Sequence, residues 1–213
     1  MGSISVVNVW NANNGNLLQS YQDGFGMTFI EWSPTNPDQL AITNAANYEG
    51  AKIVLWDATS DSVIWELETP NYGVTYIAWN SQGNKLATVT EDANALGVVA
   101  SIYDAANGSL ISTIPTQMVY KGSITWSPSL YIAISDGNII QIWHDNPVQL
   151  VTTFQTASFV NAITWQPNGT SLSYAGSDGI IQSVSVLSAT LTVTPTITPT
   201  STATAIPTST THG

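Results

Sequence analysis

The chain has no cysteine, no arginine and only three lysines (Lys52, Lys85, Lys121) among its 213 residues. Without cysteine there are no disulfides and no thiolate metal sites, so redox compartment leaves no mark on the sequence. Just 8% of residues are charged, and the net charge is −11. Binding nucleic acid requires Lys and Arg to neutralise phosphates, so this composition argues against it. An anionic membrane surface is disfavoured for the same reason. No apolar run approaches the ~20 residues that span a bilayer as a helix, so no membrane insertion is expected. The opening MGSISVVNVW has neither a basic n-region nor an apolar h-region and does not read as a signal peptide. Scarce Lys and Arg, with a Thr/Pro-rich end, point to a secreted or cell-surface protein; the cytoplasm is the alternative.

What is present is repetition, which has to be sought before anything else because it dictates fold. One family of segments is FIEWSPTNPDQLAIT, YIAWNSQGNKLATV, SITWSPSLYIAIS and AITWQPNGTSLSYA. Their tryptophans, Trp32, Trp79, Trp126 and Trp165, stand 47, 47 and 39 residues apart. A second family is VVNVWNANNGNLLQSY, IVLWDATSDSVIWEL, VASIYDAANGSLISTI, IIQIWHDNPVQLVTTF and IIQSVSVLSATLTV. It aligns Trp10, Trp56, Tyr103, Trp143 and Val184. The two families alternate along the chain. Each segment alternates apolar and polar residues, breaks at Asn, Asp, Gly or Pro, and alternates again, as short strands joined by tight turns do. Asn-Gly at 14–15, 107–108 and 168–169 suits hairpins. No stretch keeps a helical period. The fold class is all-β, with four strands per unit of about 40–47 residues, the range of propeller repeats.

These segments resemble the WD40 β-propeller family. WSPTNPDQLAIT and WNSQGNKLATV are similar to that family's first hairpin. IVLWDATSDSVIWEL is similar to its third strand, ending in Trp56–Asp57, and its fourth. Asp136 and Asp178, each before Gly, fall where the family has a turn aspartate. The family's Gly-His dipeptide is missing, so its buried His–Ser–Trp–Asp network is not expected here. The resemblance covers residues 4 to about 190. It implies a propeller of four-stranded antiparallel blades over residues 1–189, with incomplete terminal blades, followed by an extended Thr/Pro-rich segment, 190–213. Relatives of this fold are mostly non-enzymatic platforms.

Counting strands exposes a mismatch. Three units are complete, at roughly 27–69, 73–116 and 121–156. Two strands precede them (4–10 and 16–22), and three follow (159–166, 171–176 and 179–187). A propeller normally has four to eight four-stranded blades. Two plus three strands is one too many for a clean shared blade. Incomplete blades present unpaired edges, which invite another chain. The chain therefore closes on itself imperfectly, is completed by other copies, or is a fragment of a longer propeller. A head-to-tail contact between copies gives rings when it closes and filaments when it does not.

The C-terminal segment has threonine at every even position from 190 to 204. Leu191, Val193 and Ile197 share the odd positions with Pro195 and Pro199. Period two is a strand pattern, and threonine suits strands. Prolines 195, 199 and 207 all lie at odd positions, so the missing N–H groups fall on one edge. Such a segment can add to a sheet edge. The alternative is a flexible or O-glycosylated stalk.

No catalytic site emerges, and the chain reads as a non-enzyme with no cofactor. Only two histidines exist, His144 and His212, and no G-x-S-x-G elbow or phosphate loop appears. His144 reads as a turn histidine, and Asp57 and Asp61 as acids of a hairpin loop. The loops NAANYEGAK (44–52) and EDANALG (91–97) would meet on one rim, where Tyr48, Glu49, Glu91 and Asp92 form a candidate partner-binding surface. Trp10, Trp32, Trp56, Trp79, Trp126, Trp143 and Trp165 read as inter-blade core; Trp65, on an outer strand, could be exposed. The sequons at Asn107 and Asn168 overlap turns that want Asn-Gly for backbone reasons.

Two functions compete. One is a structural, self-assembling subunit whose partner is itself, joined through Val7, Val9, Leu17, Leu18, Ile180, Ile181, Leu191, Val193 and Ile197. The other is a monomeric binding module on a Thr/Pro stalk, with other proteins as partners.

Overall fold

The computed structural model describes residues 5–23, 26–45, 51–69, 73–92, 97–118 and 122–186. For residues 45, 75, 91, 92, 97, 117 and 118 the backbone alone is described. Seventeen strands and no helix occur among the described residues. A hairpin of β1 (Ser5–Trp10) and β2 (Leu17–Asp23) comes first. Sheet I follows with β3 (Gly26–Trp32), β4 (Gln39–Ala45), β5 (Ala51–Asp57) and β6 (Ser62–Thr69). Sheet II holds β7 (Gly73–Trp79), β8 (Lys85–Asp92), β9 (Gly97–Asp104) and β10 (Leu110–Met118). Sheet III holds β11 (Ile124–Trp126), β12 (Tyr131–Asp136), β13 (Ile139–Asp145) and β14 (Val148–Gln155). Sheet IV has three strands, β15 (Val160–Trp165), β16 (Ser171–Gly176) and β17 (Ile181–Ser185). Every sheet is an antiparallel meander, and one bridge, from Ala45 at the end of β4 to Gly73 at the start of β7, links sheets I and II into one eight-stranded sheet. These strands fall where the period-two pattern and the turn residues place them.

The Asn-Gly turns form as expected. Gly15, Gly108 and Gly169 have φ of 72°, 72° and 70°, a region that side chains with a Cβ avoid. Gly108 is needed twice over, because a Cβ there would come within 2.9 Å of the Trp65 ring. Trp65 is half-buried across sheet II, its indole N–H donating to the Ala105 carbonyl at 2.8 Å. Asp57 accepts the N–H groups of Thr59 (3.0 Å) and Ser60 (2.8 Å) in its turn, and these bonds hold its carboxyl below the usual carboxylate range.

The sheets stack because alternate residues of each strand point to opposite faces. Leu40 and Ile42 of β4 pack under the hairpin with Val7, Val54 and Trp56, while Ala41 packs on sheet II with Ile53, Leu55, Ile77 and Trp79. Sheets II and III share a core of Ala87, Ala100, Ile102, Trp126, Ile132 and Trp143. Ala133, Ile140, Ile142, Trp165 and Leu172 form the core between III and IV. Burying each Val, Leu or Ile side chain among these contributes about 1.5–3 kcal/mol. Among the described residues no shared core joins β1–β3 to β15–β17, so the stack has two ends.

Candidate functional site: the two end faces

Each internal boundary carries the same bond. The Trp79 indole N–H donates to the Glu31 carbonyl at 3.1 Å, Trp126 to Ala78 at 3.1 Å, and Trp165 to Thr125 at 3.4 Å. The acceptor is always the residue just before the previous sheet's own tryptophan. The donors are buried, with exposures of 6%, 7% and 8%. An indole N–H must find an acceptor when buried, so these bonds set how one sheet seats on the next.

Trp32 has before it only the two-stranded β1–β2 hairpin. It is 43% exposed, and Ile30 beside it is 54% exposed, whereas the equivalent Ile77 and Ile124 are 8% and 6% exposed. Trp10 is 57% exposed. The expectation that every repeat tryptophan is core fails for Trp10 and Trp32, because among the described residues β1 and β2 form a sheet of two strands only and no further sheet packs over these two rings. Trp56 and Trp143 are buried and bond locally, to Asp61 Oδ1 at 3.3 Å and to Gln141 Oε1 at 3.0 Å.

The other end of the stack is the outer face of sheet IV. It carries a shallow, uncharged cavity of about 180 Å³ lined by Ala162, Ile163, Thr164, Ser173, Ala175 and Ile181, with Tyr174 beneath. This face is the counterpart of Ala41, Ala87 and Ala133, which the next sheet covers elsewhere. Thr164 is the counterpart of Glu31, Ala78 and Thr125, and among the described residues no indole donates to its carbonyl.

The expected assembly residues separate. Val7 is buried and Val9 half-buried against sheet I, so both already belong to this chain's own core. Leu17, Leu18, Ile180 and Ile181 are exposed. Leu191, Val193 and Ile197 lie outside the described residues, as do Tyr48 and Glu49 of the expected rim. Glu91 and Asp92 end strand β8 rather than sitting in a loop, paired across the backbone with Val98 and Gly97. His144 accepts the Asn146 N–H at 3.2 Å, a turn role. Among the described residues no group of three potential metal ligands exists.

Two features escaped the sequence reading. Glu31 accepts the Trp79 backbone N–H at 3.0 Å, and burial pushes its carboxyl up to about 7. The signal was there: Glu31 is the only charged residue at that repeat position, the others being Ala78, Thr125 and Thr164. Lys85 donates to Asp145 Oδ2 at 2.8 Å, tying sheet II to sheet III. No protein-family model matches the chain, and a search of curated proteins finds none that matches it.

Proposed function

We propose that this chain is a non-enzymatic structural subunit that assembles with copies of itself, its sheets being the blades of a WD40-like propeller left incomplete at both ends. The observation that carries this is Trp32 and Ile30: an apolar strand face, buried at two other boundaries, stands bare at one end, while the surface that would cover it stands bare at the other. Each chain thus carries both halves of a contact that it already makes three times internally. Such a contact is head-to-tail and yields a filament or a ring. The composition of few Lys and Arg, with the Thr/Pro segment, supports a place outside the cell. Strand donation by residues 191–205 adds a second route to the same end.

Size-exclusion chromatography with light scattering, and negative-stain electron microscopy, test this on the full chain and on Ile30→Ser/Trp32→Ser. The wild type should form oligomers or filaments and the variant should disperse, with the same far-UV spectrum because both side chains are exposed. A chain truncated after Leu187 separates the contribution of the C-terminal segment. A monodisperse wild-type monomer at high concentration would refute the proposal and favour a displayed binding module.

A further inference from the structure

We infer that assembly proceeds by strand exchange: β1 of one copy takes the place of β17 beside β16 of the next. This rests on the head-to-tail reading and specifies its partner as the β15–β16 hairpin of a second copy.

β1 and β17 occupy the same repeat position, the third strand. In β5, β9 and β13 that strand presents two apolar residues and then an aromatic: Ile53, Leu55, Trp56; Ala100, Ile102, Tyr103; Ile140, Ile142, Trp143. All nine are buried. β1 offers Val7, Val9 and Trp10 and keeps the pattern. β17 offers Ile181, Ser183 and Val184, with a serine and no aromatic. Ile181 is 76% exposed, the highest of the large apolar residues among those described, and Ser183 is exposed with its hydroxyl bonded to Ser173 at 2.7 Å. Judged by its own repeat, β17 is a weak third strand and β1 a good one.

The edges agree. A complete third strand pairs with the second and the fourth, as β5 does with β4 and β6. β1 pairs with β2 alone, so the edge that a second strand would occupy is without one among the described residues. β16 is a second strand whose third-strand edge is held by β17. Seating β1 there gives a four-stranded sheet of β15–β16 from one copy and β1–β2 from the other. The exchange covers what is now bare. Trp10 arrives against Ile140 and Ile142 where Val184 packs, and the outer face of β15–β16 covers Ile30 and Trp32, with the Trp32 indole at the Thr164 carbonyl. The hairpin keeps its own seat on sheet I through Val7 and Val9. The side-chain hydrogen bonds given up are that of Ser173 with the Ser183 hydroxyl and that of the Tyr174 hydroxyl, which donates to Gln182 Oε1 at 2.6 Å.

The chain has no cysteine, so a reversible lock tests this cleanly. Ser173 and Ser183 are cross-strand partners, and Ser173→Cys/Ser183→Cys would pin β17 to β16 when oxidised. Reduced, the variant should assemble as the wild type does; oxidised, its half-assembly concentration should rise about tenfold or more. Equal assembly in both states would overturn the exchange and leave the head-to-tail reading standing. No assembly in either state, with a monomeric wild type, would overturn that reading itself. Val9→Cys/Ser173→Cys, oxidised in dilute and concentrated samples, identifies the donor. Crosslinks between chains are expected, and a crosslink only within one chain would mean self-closure and refute a second copy.

Discussion

Replacing Lys85 by methionine is expected to destabilise the protein by about 3–5 kcal/mol, the scale for orphaning a buried charge. Asp145 sits between sheets II and III with its side chain 3% exposed, and Lys85 is 21% exposed. Their bond is 2.8 Å long, and the second carboxylate oxygen of Asp145 is buried with no partner. Methionine keeps the aliphatic stem and its packing and deletes only the charge, so the loss reads the electrostatics. For a domain of this size each kcal/mol moves the midpoint by about 2–4 °C, so Tm should fall by roughly 6–20 °C. The loss is a large share of the ~5–15 kcal/mol that holds a typical domain together. Urea unfolding followed by tryptophan fluorescence measures it. Lys85→Met/Asp145→Leu should recover most of the loss, because an apolar pair leaves no charge behind. A Lys85→Met variant within about 1 kcal/mol of wild type would refute the reasoning, since that is how an exposed pair behaves.

Glu31 binds its proton more tightly in the folded chain, near 7 against an ordinary 4.5, so its contribution is full below the ordinary value and is lost as pH rises through about 7. Glu31→Gln should flatten this slope and gain about 2 kcal/mol at alkaline pH; an unchanged stability–pH profile in chemical denaturation would count against it. Gly122→Ala should cost about 3 kcal/mol or more, since a Cβ there falls 1.4 Å from the Ser135 carbonyl oxygen, whereas Gly73→Ala, with nothing within 4 Å, should stay within about 0.5 kcal/mol. Trp126→Phe should cost about 1–3 kcal/mol by leaving a gap at a buried boundary, and Trp32→Phe should scarcely change unfolding of the dispersed chain. Thermal melts of the four variants rank these effects directly.

Strand order and turns were legible in the sequence because period two and Asn-Gly pairs are local signals. Trp79, Trp126 and Trp165 were legible as core for a further reason: their spacing places each one on a preceding unit. The exposure of Trp10 and Trp32 was not legible from residue type, since a tryptophan is the same letter whether or not a neighbour covers it. Only the strand count, with two strands ahead of the first four-stranded unit, pointed that way. The Lys85–Asp145 pair lies 60 residues apart and exists only once two sheets are stacked. The burial of Glu31 was not legible because strand alternation does not say which face a neighbour will shield. Glu91 and Asp92 read as loop residues because they are polar, yet the β8–β9 ladder runs through both.

The indole-to-carbonyl bond has a consequence for how such a chain changes length over time. It asks the incoming unit for a tryptophan and the outgoing unit for a backbone oxygen, which any residue supplies. A duplicated stretch equivalent to residues 73–119 could therefore be spliced in after sheet II, its new tryptophan meeting the Ala78 carbonyl as Trp126 does now. The duplicate would bring its own lysine to Asp145, whereas excising the same stretch would strand that acid. Growth by duplication is thus easier than loss, as in other arrays where each repeat touches only its neighbours. The end faces would be unaltered, so under the head-to-tail proposal the repeat distance of the polymer would step up by one unit at a time.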